Sequence, residues 1–214
     1  MKLLIGVPSY DYMHAEFVKC LSALLMRLAH NGVDFELSIN NGTLVYMARD
    51  RIACQAINNG FSHVLWLDAD MIFQPSLLDD LTDCGKDFVT GICHSRRPPY
   101  SSCLFKRMDD INHLERFEEY PEAPFEVAGC GFACVLIKTE ILEAVQLTFK
   151  TCFTPEQEWG EDLTFCRRAT ALGYKIHADP YVRLGHIGHD VIWPESHRQY
   201  LDMLERGELG CSKL

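Results

Sequence analysis

The sequence predicts an α/β domain with a mostly parallel central sheet flanked by helices, and three observations predict it. Over the first hundred residues, short apolar runs alternate with segments whose apolar residues recur at helical spacing. Glycine, asparagine and proline residues mark the ends of these segments. The 214 residues contain no internal repeat and no Ser/Gly-rich linker, so we expect a single domain over residues 1–214.

The elements are predicted in the order strand, helix, strand, which gives right-handed crossovers between parallel strands. Four short apolar runs predict buried strands at residues 3–7, 35–39, 63–67 and 87–92. Helical spacing predicts helices between them at 17–28, 45–58 and 75–84. A Pro-rich segment from residue 94 predicts a loop or hairpin. Further elements follow it: a strand within 125–138, helices from Thr139 and Glu161, a strand after Gly173 and a helix from Pro194.

Composition excludes several classes of function. The net charge is −10, and Lys and Arg are not clustered, so we expect no binding to nucleic acid or to anionic membrane surfaces. The ten cysteines contain no C-x-x-C pair, which favours reduced thiols in a cytoplasmic, intracellular protein. The first apolar run has four residues, too few for a signal peptide, and no segment approaches the ~20 apolar residues of a membrane span.

The stretch "HVLWLDADMIF", residues 63–73, carries an apolar strand directly into two aspartates. Residues i and i+2 of an extended chain point the same way, so Asp68 and Asp70 can face one ligand at the carboxyl end of the strand. Two close carboxylates favour a cation between them, and oxygen ligands suit Mg²⁺ or Mn²⁺. The alternative is that Asp68 caps the next helix and Asp70 lies in a solvated turn. The apolar "MIF" that follows counts against this alternative.

The segment "VLWLDADMIF" resembles the D-x-D segment of GT-A fold glycosyltransferases, similar to family 2. Five further segments occur in the order that such enzymes show: "GVPSYD", "ARDRI", "AGCGFACVLIKTEIL", "WGEDLTFCRRATALGYKIHADP" and "VRLGHIGH". The resemblance covers nearly the whole chain. It implies a GT-A fold, a nucleotide-sugar donor that is most often UDP-linked, and Mn²⁺ or Mg²⁺ bound to the donor's diphosphate. The partner is then a glycan or another acceptor with a free hydroxyl.

The resemblance also assigns residues to roles. Residues 1–93 would form the nucleotide-sugar-binding half and residues 94–214 the half that binds the acceptor and completes the metal site. Metal ligands would be Asp68, Asp70 and His186, with His189 as the reserve candidate, because imidazole favours Mn²⁺ over Mg²⁺. A histidine beside two glycines is otherwise a backbone-bonded loop residue. Donor contacts would come from Pro8, Ser9, Tyr10, Arg49, Asp68, Ala69, Asp70 and Gly131.

Two acids at the start of a predicted helix are the candidates for catalysis. In inverting relatives the aspartate of an E-D pair takes the acceptor's proton, so Asp162 is the first choice for the general base and Glu161 would bind acceptor hydroxyls. Their alternative role is to stabilise the helix N-terminus electrostatically. A retaining transferase would not use a base here in the same way.

Other interpretations stay open at this point. Tyr10 and Tyr12 can be surface aromatics, Arg49 can be a helix-surface residue paired with Asp50, and a solvated loop is favoured for Arg96 and Arg97. A haloacid-dehalogenase-type phosphatase also has an aspartate pair after a strand, but it expects Thr or Val at position 72 and a pair after the first strand. A non-catalytic nucleotide-sugar-binding module is the third hypothesis. The abrupt ending "GELGCSKL" suggests fusion to further domains.

Overall fold

The computed structural model describes residues 1–156, 158–188 and 191–207. Its helices are α1 (Ala15–His30), α2 (Val45–Asn58), α3 (Leu77–Asp83), α4 (Thr139–Phe149), α5 (Glu161–Ala171) and α6 (Ser196–Glu205). Its strands are β1 (Lys2–Pro8), β2 (Asp34–Asn40), β3 (His63–Leu67), β4 (Met71–Ile72), β5 (Phe88–Ile92), β6 (Leu104–Met108), β7 (Leu114–Arg116), β8 (Phe125–Val127), β9 (Gly129–Cys130), β10 (Cys134–Lys138), β11 (Ile176–Arg183), β12 (Gly185–Ile187) and β13 (Val191–Ile192). Among these residues no helix is long and apolar enough to cross a bilayer.

Seven strands form the central sheet in the order β2-β1-β3-β10-β5-β11-β8. Strands β1, β2 and β3 are mutually parallel, and β5 is parallel to β11. Strand β10 runs antiparallel to both β3 and β5, and β8 runs antiparallel to β11. Five of the seven strands therefore share one direction, which confirms the predicted mostly parallel α/β sheet.

Helices cover both faces of the sheet because its central strands are apolar on both faces. On β3, Val64 and Trp66 point into a core formed with α2, α4 and α5. Leu65 and Leu67 point into a second core formed with α1 and α3. Every second residue of an extended chain faces the same side, so one continuous apolar run supplies two cores.

Strand β10 is the feature of the sheet that the sequence did not predict. Its apolar run predicts a buried strand, and that strand exists, but it lies between β3 and β5, where the strand–helix alternation placed two parallel neighbours. Periodicity reports burial and says nothing about which strands are neighbours. Its insertion moves β5 one position away from β3.

A small three-stranded sheet, β13-β12-β4, fixes the geometry just beyond the aspartate pair. His186 on β12 pairs with Met71 on β4, and the Ile187 amide donates to the carbonyl oxygen of Asp70 at 2.8 Å. Gly185 permits this close approach, because a Cβ there would lie 2.9 Å from Val191 and 3.2 Å from Ile72. Late and early parts of the chain thereby meet at Asp70.

Candidate functional site

A cavity of about 410 Å³ lies at the carboxyl ends of β1 and β3. In open α/β sheets this edge is the usual ligand crevice. Six of the eight residues predicted to contact the donor line the cavity: Pro8, Ser9, Tyr10, Asp68, Ala69 and Asp70. These six residues are brought together at one cavity, and their contacts with a donor stay predictions.

The other two predicted donor residues lie elsewhere. Arg49 is only 2% exposed and is held below the cavity by ion pairs. Gly131 lies beside the E-D acids, since a Cβ on it would be 3.6 Å from Asp162 Oδ2. Neither Gly129 nor Gly131 has a positive φ. For Gly131 the absence of a side chain keeps the space next to Asp162 open.

Asp68 is fixed by Arg49. The Arg49 Nη2 atom donates to Asp68 Oδ1 at 2.8 Å, and Arg49 Nε lies 3.6 Å from Glu161 Oε1. Burial raises the pKa of Asp68, and the Arg49 charge opposes that rise. The helix-surface interpretation of Arg49 was wrong, because Asp50 instead accepts hydrogen bonds from the backbone amides of Cys152 and Phe153.

Asp70 contacts two cationic or potentially cationic side chains. Arg96 Nη1 donates to Asp70 Oδ2 at 2.6 Å, and His186 Nε2 lies 3.3 Å from the same oxygen. Burial alone would raise the pKa of Asp70, but the contacts with His186 and Arg96 outweigh it and lower the pKa. The solvated-loop interpretation favoured for Arg96 was wrong, since the side chain lines the cavity.

The tautomer of His186 follows from its second contact. Its Nδ1 lies 2.8 Å from the carbonyl oxygen of His94, which can only accept, so Nδ1 carries a proton. In a neutral ring the Nε2 lone pair then points at the Asp70 carboxylate. Burial lowers the pKa of His186, but the bonds to Asp70 and to the His94 carbonyl outweigh it and raise the pKa. A proton on Nε2 or a cation between the two atoms satisfies this pair.

Asp70 and His186 fit a divalent cation as a pair of ligands. Their carboxylate oxygen and imidazole nitrogen are donors that Mn²⁺ accepts, and atoms 3.3 Å apart can occupy adjacent positions around one octahedral ion. Asp68 is turned toward Arg49 instead. In the part of the chain that the structure describes, no three His, Cys, Asp or Glu side chains converge on one point. The three-residue metal site stays a prediction, and His189 lies outside the described residues.

Asp162 and Glu161 begin α5 and face different partners. Asp162 Oδ1 accepts from the Leu163 amide at 2.7 Å, whereas Glu161 faces Arg49. Burial and then the Glu161 charge raise the pKa of Asp162 to about 6, although Leu163 and Arg49 oppose the rise. A carboxylate with that pKa is ionised at neutral pH and still accepts a proton readily, which is what a general base requires. Its predicted role stays untested.

Sequence reasoning did not assign several residues that line the cavity. His14, Thr43, Leu44 and Val45 follow β1 and β2, and Tyr12 was left open between a donor-side aromatic and a surface aromatic. The same strand-end rule that selected Asp68 would have selected the loop after β2, because β2 is parallel to β1. No comparable signal marks Arg96, which reaches the site from an irregular loop.

Comparison with known proteins establishes the fold and nothing finer. No protein-family profile matches the sequence, and no curated protein matches it either. The crystal structure of A197 from STIV matches 92% of this chain and 92% of its own length, with a TM-score of 0.63 and 18% identity. The inositol-1-phosphate CTP transferase from T. maritima and an apo-UDP-glucose pyrophosphorylase each reach a TM-score of 0.48, at 14% and 11% identity. The CTP transferase covers 97% of this chain and 97% of its own length, and the pyrophosphorylase covers 97% of this chain and 82% of its own length. Neither of these two similarities supports a statement about function.

Proposed function

We propose that this protein is a glycosyltransferase that moves a sugar, with inversion, from a UDP-linked donor to an acceptor hydroxyl and uses Mn²⁺ or Mg²⁺. One observation carries the proposal. The cavity at the strand ends has the D-x-D acids in its wall, and Arg49 lies between Asp68 and Glu161, the residue that precedes Asp162. The Asp68 and Arg49 charges both act on Asp162, so a carboxylate suited to proton transfer lies near the wall that carries the D-x-D acids.

The cavity residues suit a nucleoside diphosphate. The rings of Tyr10 and Tyr12 are 72% and 92% exposed at the rim and offer flat apolar faces to a nucleobase. Asp70 and His186 would hold the ion, which supplies charge neutralisation for the leaving diphosphate when bound. Arg96 is a half-exposed cation in the cavity wall that could change partner from Asp70 to a phosphate oxygen.

Asp162 would complete the reaction on the acceptor side. The acceptor hydroxyl gives its proton to an Asp162 carboxylate oxygen while its own oxygen bonds to the anomeric carbon of the sugar. The bond from that carbon to the β-phosphate oxygen breaks, and the nucleoside diphosphate leaves with the electron pair. Gly131 places no side chain beside Asp162, where the acceptor hydroxyl would approach.

A panel of nucleotide sugars assayed with and without Mn²⁺ tests the proposal. We expect Mn²⁺-dependent release of nucleoside diphosphate from one donor class, and a loss of about tenfold or more in Asp70→Asn. Asp162→Asn should reduce transfer about 10²–10⁴-fold. The exposed Asp110→Asn is the matched control and should behave as wild type. Release of inorganic phosphate instead would indicate the phosphatase, and donor binding without turnover would indicate a non-catalytic module.

A further inference from the structure

Arg49 is the most deeply buried charged side chain near the site. Its side chain is 2% exposed, and it extends from α2 between the end of β3 and the start of α5. The guanidinium carbon lies 5.8 Å from the Trp66 ring centroid and 5.4 Å from that of Phe132. A cation held against two aromatic faces and removed from water needs anionic partners, because its desolvation is otherwise unfavourable.

The two anionic partners come from distant parts of the chain. Asp68 directly follows β3 and accepts a hydrogen bond from Arg49 at 2.8 Å, while Glu161 begins α5 and lies 3.6 Å from Arg49. Asp68 belongs to the wall of the donor cavity, and Glu161 precedes Asp162 on the helix. Arg49 donates a hydrogen bond to Asp68 from Nη2, whereas its Nε makes only an ion pair with Glu161 and has no hydrogen-bond partner among the described residues. One side chain therefore spans both halves of the site.

We propose that Arg49 is a positioning residue, which fixes Asp68 and Glu161 relative to each other and does not itself contact the donor. The catalytic meaning of this inference rests on the proposed function, which the inference deepens. Without the guanidinium, two carboxylates would face each other uncompensated and move apart. The donor wall and the general base would then lose their fixed separation.

The groups around Asp162 make the effect measurable. Glu161 and Asp68 raise its pKa, Arg49 and the Leu163 amide lower it, and the Cys103 thiol also faces it. Removing the Arg49 charge leaves only the Leu163 amide to oppose the two negative neighbours. The pKa of Asp162 should therefore rise further, although Arg49 does not touch it.

Arg168 provides a matched control. It is also buried, at 5% exposure, and its Nη2 pairs with Glu156 at 2.6 Å, while its Nη1 donates to the backbone carbonyls of Thr151 and Cys152. Arg168→Met removes a buried guanidinium of the same kind away from the D-x-D acids. Any effect of lost stability alone should appear equally in Arg168→Met and Arg49→Met.

The test is a carboxyl ¹³C NMR titration of Asp162 in the ligand-free protein, combined with donor kinetics. We expect the pKa of Asp162 to rise by about half a unit or more in Arg49→Met and to stay unchanged in Arg168→Met. Arg49→Lys should return it toward wild type. The kcat should fall in Arg49→Met with donor KM little changed. If Arg49→Met does not fold, Arg49→Lys still tests the inference, with a smaller rise in the pKa and a lower kcat at the same KM.

Two results would overturn the inference. An Asp162 titration equal in the Arg49 and Arg168 variants would show that Arg49 acts only through stability. A donor KM raised tenfold at unchanged kcat would make Arg49 a donor ligand. If the titration shifts as expected but no nucleotide sugar is ever turned over, the proposed function fails while the link between Arg49 and the two acids stands.

Discussion

The two aspartates of the D-x-D segment each pair with an arginine, and the two pairs differ in kind. The Asp68 and Arg49 side chains are 32% and 2% exposed, so the cation is enclosed and the acid faces the cavity. The Asp70 and Arg96 side chains are 19% and 51% exposed, so here the cation is the accessible partner. We call Asp68–Arg49 the inner pair and Asp70–Arg96 the outer pair. The same two residue types thus make one enclosed contact and one that a ligand can displace.

This difference follows from the elements that carry the arginines. Arg49 lies on α2, whose neighbours Ile52, Ala53 and Ala56 pack into the core, so its backbone is fixed. Arg96 lies in the irregular loop between β5 and β6, and this loop contacts α6 through Tyr100 and Tyr200, whose ring centroids are 5.5 Å apart. A buried ion pair fixes the positions of its two side chains, whereas the acid of an exposed ion pair can exchange its arginine for another cation.

The largest expected difference between the pairs is in stability. Arg49→Met leaves Asp68 and Glu161 facing each other without a cation, and we expect a loss of about 2–3 kcal/mol in the free energy of unfolding, reduced from the fully buried case because Asp68 is partly exposed. Arg96→Ala should lose less than about 0.5 kcal/mol, as exposed pairs do. Urea unfolding at pH 7 measures both. Equal losses would mean that burial does not separate the two pairs.

The sequence predicted the inner pair's residues better than their arrangement. Asp68 and Arg49 lie on a strand and a helix whose apolar periodicity is strong, and both elements were placed to within a few residues. The direct contact between them was not predictable, because it depends on how α2 packs on β3 and on a helix that begins over a hundred residues later. Periodicity gives the face of an element, and it does not give distances between faces.

The outer pair was less predictable for a physical reason. Arg96 follows the last predicted strand of the first half, in a Pro-rich segment whose composition is that of a solvated loop. Only the folded chain shows that His94 in this segment also fixes the His186 ring through its backbone carbonyl. Loop contacts to a site carry no periodic signal, so sequence reasoning favoured the wrong interpretation.

The next largest effect concerns Asp162, which adjoins the inner pair. Its pKa of about 6 lies above the ordinary 3.8, so the folded protein holds a proton that the unfolded chain releases. Stability therefore falls as pH rises from about 4 to about 6 and stays lower above that range. Asp162→Asn removes this penalty and keeps an oxygen for the Leu163 amide. We expect it to be more stable by about 1–2 kcal/mol at pH 7, after a discount for partial exposure, and equal to wild type near pH 4.

Thermal unfolding of wild type and Asp162→Asn at several pH values between 4 and 7 measures this effect. Asp110→Asn, an exposed substitution of the same type, is the control and should show no such pH-dependent gain. Transfer by the wild type should rise with pH through about 6 as Asp162 loses its proton. Transfer by Asp162→Asn should be about 10²–10⁴-fold slower and should show no such rise. A destabilised Asp162→Asn at pH 7 would contradict the raised pKa and weaken the assignment of the base.

The smallest expected effect is on cation affinity at the outer pair. Arg96 occupies Asp70 Oδ2, the oxygen that also faces His186, so an incoming Mn²⁺ must displace the guanidinium. Arg96→Ala should bind Mn²⁺ about twofold more tightly in the absence of nucleotide, which corresponds to the modest strength of a half-exposed pair. Isothermal titration calorimetry with Mn²⁺ alone measures the affinity.

The control is Arg97→Ala, which removes the same charge from the neighbouring exposed position and should change the Mn²⁺ affinity much less. With UDP present the advantage of Arg96→Ala should shrink, because in the wild type the released Arg96 then pairs with the diphosphate. An equal gain in Mn²⁺ affinity in the Arg96 and Arg97 variants would show that the loss of positive charge, and not the contact between Arg96 and Asp70, causes the gain. Only the inner pair would then keep a defined role.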